Sequence, residues 1–144
     1  PHIDDVHNIL LDILYHNKIE VVCFYRICLN CVHPTGNNKL TLPHTDHDHP
    51  HKNIIVYFTD PDGGETMCEG DRFLGKEDDV ILFDGIHNLR PPSQKRRIVL
   101  IATGLSVMFN VHEASQGAGQ ILPVNSGKLL VECSKSKASF HLLL

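Results

Sequence analysis

The sequence predicts a mainly β fold, a sandwich or barrel of the jelly-roll kind, with a single helix in front of it. Its 144 residues match the usual size of one domain built on one hydrophobic core. Beyond residue 16 the apolar residues fall in short runs rich in Val, Ile, Phe and Tyr, which is strand chemistry. Gly, Pro, Asn and Asp clusters separate those runs, as expected of short strands joined by turns. At 42% hydrophobic and 21% charged residues, the composition excludes a disordered, collagen-like or coiled-coil chain.

The elements follow in chain order. Ile3, Val6, Ile9, Leu10, Ile13 and Leu14 recur at three- and four-residue spacings, which predicts an amphipathic helix over 3–16. Strand-like runs come next at 20–25, 26–32, 39–43, 53–59, 65–68, 79–84, 97–103 and 106–111. The breakers are Pro34 to Asn38, Pro61-Asp62-Gly63-Gly64, Gly70-Asp71, Asp84-Gly85 and Pro91-Pro92. Ile54, Val56, Val80, Leu82 and Val99 are expected core. Past Leu105 the signal fades: Glu113 to Gly119 is small and polar, Lys128 to Cys133 is a candidate further strand, and the tail from about residue 112 has no firm assignment. The expectation is one domain over 1–144 with its core at about 26–104.

Thirteen Lys and Arg against seventeen Asp and Glu leave a formal charge of −4, so no nucleic-acid partner is expected. Apolar runs such as Ile81 to Phe83 and Val99 to Ala102 are far shorter than the ~20 residues of a membrane-spanning helix, so no membrane partner is expected either. The five cysteines, Cys23, Cys28, Cys31, Cys68 and Cys133, are an odd set without a basic-then-apolar leader, which suits reduced thiols in the cytoplasm. Oligomeric state is open. Histidine is the anomaly: eleven are present, and His44, His47, His49 and His51 crowd one eight-residue stretch. Neutral imidazole is the commonest metal ligand.

His44-Thr45-Asp46 follows the run 39–43, and in extended chain the two-residue period turns His44 and Asp46 to one side. His87 follows the run Val80 to Phe83 and is placed to complete the set from another strand end. Two His and one carboxylate on one face of a metal form the facial triad of non-haem Fe(II) oxygenases, which leaves positions open for O₂ and cosubstrate. Arg97, ten residues beyond His87, carries a permanent charge that can grip a carboxylate through two parallel hydrogen bonds.

His44-x-Asp46, Tyr57-Phe58, Gly63-Gly64-Glu65-Thr66, Asp79 to Phe83, His87 and Arg97, in this order, resemble the core of the Fe(II)- and 2-oxoglutarate-dependent dioxygenases, and within them the prolyl 4-hydroxylase-like group. The likeness covers roughly residues 26–104. It implies a double-stranded β-helix (jelly-roll or cupin-like) with His44, Asp46 and His87 holding Fe(II), 2-oxoglutarate chelating the metal, and Arg97 binding its distal carboxylate. It further implies O₂ as cosubstrate, ascorbate as an accessory reductant, succinate and CO₂ as products, and hydroxylation of a peptidyl (for example prolyl) or small-molecule substrate. Asp46 favours hydroxylation over halogenation, since halogenating relatives lack the carboxylate. The resemblance implies a cosubstrate role for Asn30, and it places Phe58, rather than Tyr57, where relatives carry a helper tyrosine.

Blander readings stand beside these. His47, His49 and His51, with Asp48, are expected to be solvated or substrate-side loop residues, because one iron cannot take them all. Cys28-x-x-Cys31 puts two thiols on opposite faces of a strand and reads as buried or half-buried cysteine rather than zinc or redox chemistry. Arg96 competes with Arg97, since only one of two adjacent strand residues points inward. The alternative function is a non-catalytic, cupin-like module that holds a metal and a ligand without oxidising it.

Overall fold

The structure is a computed structural model that describes residues 3–60, 62–108, 122–124, 128–133 and 137–141. The helix forms where its periodicity places it: α1 spans Ile3–His16. Asp4 and Asp5 in the first turn suit the positive end of the helix dipole. Lys18 adopts a left-handed φ of 53° just past the end, and Ile19 N–H donates back to the Leu14 carbonyl at 2.9 Å, which closes the last turn.

Among the described residues ten strands follow: β1 (Glu20–Val32), β2 (Lys52–Tyr57), β3 (Thr66–Cys68), β4 (Asp71–Phe73), β5 (Asp79–Phe83), β6 (His87–Leu89), β7 (Arg97–Met108), β8 (Leu122–Val124), β9 (Lys128–Cys133) and β10 (Lys137–His141). They form a seven-stranded sheet in the order β1-β7-β2-β5-β10-β9-β8 and a three-stranded sheet in the order β4-β3-β6. The pairings among the described strands are antiparallel. The described residues are mainly β, with one helix.

Alternation along the central strands sorts the core into two parts. Ile54, Val56, Val80, Leu82, Leu100 and Ala102 face α1, where Val6, Leu10, Ile13 and Leu14 cover them. Ile55, Tyr57, Ile81, Phe83 and Val99 face the small sheet and pack with its Cys68 and Phe73. The large sheet is therefore sandwiched, and β2 and β5 are buried on both faces.

Several sequence expectations are corrected. The runs 20–25 and 26–32 are one strand, and their boundary survives only as register shifts between Glu20 and Arg26. Gly104 sits opposite that irregularity, where an added Cβ would collide with the Cys23 carbonyl oxygen. The runs 97–103 and 106–111 likewise merge into β7, which continues through Gly104 and Leu105; residues 109–111 lie outside the described residues, as does Glu113 to Gly119. The candidate strand at Lys128 to Cys133 is present as β9, and β4 and β6 arise where no strand was expected.

The expected strand over 39–43 does not form. Thr41 N–H donates to the Leu89 carbonyl and His44 pairs with His87, so three steps of this segment lie opposite two steps of β6. The surplus residue and Pro43, which has no N–H to donate, prevent a regular ladder.

Candidate metal and anion site

His44, Asp46 and His87 converge, and they do so through the backbone. His44 and His87 exchange both N–H···O bonds at 2.9 Å, an isolated bridge that sets their rings 4.5 Å apart. His87 thus meets the pair by direct backbone pairing at the start of β6. One nitrogen or carboxylate oxygen from each of the three residues lies within 4.8 Å of the others.

The ring orientations suit ligation. His44 Nδ1 lies 3.2 Å from the Leu42 carbonyl and His87 Nδ1 lies 3.5 Å from the Gly85 carbonyl. A carbonyl only accepts, so the tautomer that these contacts favour carries its proton on Nδ1 and leaves Nε2 its lone pair. Burial pushes the His87 pKa below its ordinary value, against the opposing pull of Asp46, which favours the neutral form a metal requires. Asp46 is divided between two partners: Oδ1 accepts from Arg26 Nη2 at 2.7 Å, and Oδ2 faces His87 Nε2 at 3.8 Å.

These three side chains line a cavity of about 230 Å³ together with Arg26, Cys28, Asn30, Asn53, Thr66 and Arg97. Arg97 reaches it from β7 and is 1% exposed, whereas Arg96 is exposed to solvent, which decides between the two. Arg97 Nη2 donates to Thr66 Oγ1 at 3.0 Å, and its guanidinium lies 5.1 Å from the centre of the Tyr57 ring. Tyr57 Oη meets the same Thr66 hydroxyl at 2.6 Å. Arg97 Nε and Nη1 are buried and have no hydrogen-bond partner. An unpaired buried charge is expensive in a folded chain, and these two nitrogens are free to donate to an anion.

Tyr57, rather than Phe58, is the aromatic residue on the cavity side. Strand alternation sends Ile55 and Tyr57 inward and leaves Phe58 packed against the helix-side core. Gly75 backs the tyrosine ring so closely that a Cβ there would overlap it. Asn30 lines the cavity from β1 but is exposed.

The neighbouring histidines are elsewhere. His47, His49 and His51 line a separate open groove with Asp48, Glu69 and Asp84. His51 is buried rather than solvated, its Nδ1 held 2.8 Å from the His49 carbonyl. Cys28 lines the triad cavity and is half-buried, while Cys31 is exposed, which corrects the expectation for that thiol. Arg26, Asn53 and Thr66 were missed in the sequence. Arg26 and Thr66 had a legible signal, since Arg26 shares a strand face with Cys28 and Asn30, and Thr66 closes the Gly63-Gly64 turn motif.

No protein-family model, curated protein or solved structure matches the chain. The donor set alone, two imidazoles and a carboxylate, suits Fe(II), Mn(II) or Zn(II), and the unpaired Arg97 atoms in the same cavity suit a carboxylate ligand.

Proposed function

We propose that the protein is an Fe(II)- and 2-oxoglutarate-dependent dioxygenase of the prolyl 4-hydroxylase-like kind. The observation that carries this reading is the buried, half-unpaired Arg97 guanidinium in one cavity with His44, Asp46 and His87. A carboxylate anchor and a three-ligand metal set are what a 2-oxo acid requires if it is to be gripped at one end and chelated at the other. The fold supports the reading as well: between β2 and β7 the chain passes back and forth between the two sheets, which a double-stranded β-helix demands.

In this reading His44, Asp46 and His87 hold Fe(II), and Arg97, steadied by Thr66 and the Tyr57 ring, binds the distal carboxylate of 2-oxoglutarate. Arg26 keeps one oxygen of Asp46 occupied and so leaves the other for the metal. The bound metal, with 2-oxoglutarate and O₂, would supply oxidative decarboxylation coupled to hydroxylation. Ascorbate would serve as the accessory reductant. The substrate class is a peptide, for example at proline, or a small molecule.

Anaerobic titration of the Fe(II)-loaded protein with 2-oxoglutarate tests this, with the visible metal-to-ligand charge-transfer band as readout. A band that disappears in Arg97→Ala and in Asp46→Ala supports the reading, and succinate formation in air should follow the same pattern. Iron binding without any band would instead favour a non-catalytic, cupin-like module that holds metal and ligand.

A further inference from the structure

The cavity face of the large sheet is built in rows, because antiparallel partners lie side by side. Cys28, Ile101, Ile55 and Ile81 form one row, apolar apart from its thiol. The next row is Arg26, Thr103, Asn53 and Phe83. Three of those four make contacts with the metal-ligand loops. Arg26 donates to Asp46, the Thr103 hydroxyl meets His47 Nε2 at 2.8 Å, and the Phe83 ring lies edge-on to His87 with centroids 5.1 Å apart.

Asn53 sits between Thr103 and Phe83 and is 0% exposed. Neither its Nδ2 nor its Oδ1 has a hydrogen-bond partner, and the residue lines the same cavity as the triad and Arg97. A buried carboxamide left unsatisfied is a standing penalty that a leucine of similar volume would remove. Its position in the row beside the metal ligands, four residues from Tyr57 along an extended strand, assigns it to the metal end of the cavity rather than the Arg97 end.

We infer that Asn53 is a positioning residue whose Nδ2–H donates to the metal-end carboxylate of the bound 2-oxo acid, while Arg97 holds the other end. The inference rests on the dioxygenase reading and extends it. A 2-oxo dicarboxylate brings two anionic ends. One meets the guanidinium, and at the other the carboxylate oxygen turned away from the metal still needs a donor. Of the other amide and guanidinium groups that line the cavity, Arg26 is already paired with Asp46, Asn88 Nδ2 donates to the Thr41 carbonyl, and Asn30 is exposed. Asn53 is the buried amide there whose N–H groups are vacant.

The test compares wild type, Asn53→Leu and Asn53→Asp by calorimetric titration of the Fe(II)-loaded protein with 2-oxoglutarate in the absence of O₂, alongside Fe(II) affinity and Tm. Asn53→Leu should weaken 2-oxoglutarate binding about 10- to 100-fold while Fe(II) affinity holds and Tm stays level or rises. Asn53→Asp should weaken it further, because a carboxylate then faces a carboxylate, with Fe(II) affinity level or tighter. If the leucine variant does not fold, the aspartate variant carries the comparison. Unchanged 2-oxoglutarate affinity in the variants would overturn the inference, as would a loss of Fe(II) affinity in Asn53→Leu, which would make Asn53 a metal ligand. Wild-type protein that takes up Fe(II) but no 2-oxoglutarate would instead bring down the reading on which the inference rests.

Discussion

Ile54 and Ile55 are neighbours in β2, yet they belong to different chemistries. Ile54 looks toward α1, onto a face made of Val56, Val80, Leu82, Leu100 and Ala102 and covered by Val6, Leu10, Ile13 and Leu14. Ile55 looks toward the small sheet, onto a face that also buries Asn53, Tyr57, Arg97 and Thr103. The first face stabilises the fold by removing aliphatic surface from water. The second gives up part of that gain, because it holds Asn53 and Arg97 atoms that have no partner. The difference teaches how one sheet can divide its labour: the same strands bury aliphatic surface on one side and carry the candidate site on the other.

Substitutions on each face should separate these roles. The largest effect is expected from Leu10→Ala, which opens a cavity in the helix-side core and should cost about 2–5 kcal/mol by urea unfolding while leaving metal and ligand affinity intact. Arg97→Met should do the opposite. It should weaken 2-oxoglutarate binding to the Fe(II)-loaded protein by at least ~100-fold, with Tm unchanged or raised, because an unpaired buried charge is replaced by an apolar chain. A lower Tm with normal affinity would erase the contrast between the two faces.

Tyr57→Phe removes the hydroxyl on Thr66 and should cost about 1 kcal/mol in stability, with a several-fold loss of 2-oxoglutarate affinity by calorimetry. Acidification acts on the cavity side through His87. Burial lowers the His87 pKa from 6.5, so the unfolded chain takes up that proton more readily than the folded one. The contribution of His87 to stability is fully present above pH 6.5 and is lost as the pH falls through 6.5 toward the lowered value. A thermal melt series should show a shallower acid-side decline in His87→Phe than in wild type. Arg96→Ala, at an exposed position beside Arg97, should change stability and affinity by less than about 0.5 kcal/mol.

Much of this architecture is legible along the chain. The spacing of Val6, Leu10, Ile13 and Leu14 announces the helix, and the apolar runs at 53–59 and 97–103 announce strands. His44 and Asp46 share a side because they are two residues apart, and Arg97 is singled out by its charge at the head of an apolar run. The Tyr57 and Phe58 pair shows the limit. Which of the two faces the cavity depends on strand phase, and one residue of slip exchanges them.

What the sequence by itself determined is therefore periodic: the helix, the strand-forming runs and the residue types capable of holding a metal and a carboxylate. Only the tertiary structure decided that His87 pairs with His44 through their backbones, that Arg26 takes one oxygen of Asp46, and that Asn53 is buried with its amide unsatisfied. The physical reason is that a single chain displays its local period, whereas partners 20 to 43 positions apart, such as Arg26 with Asp46 and His44 with His87, meet through inter-strand register that no local pattern records.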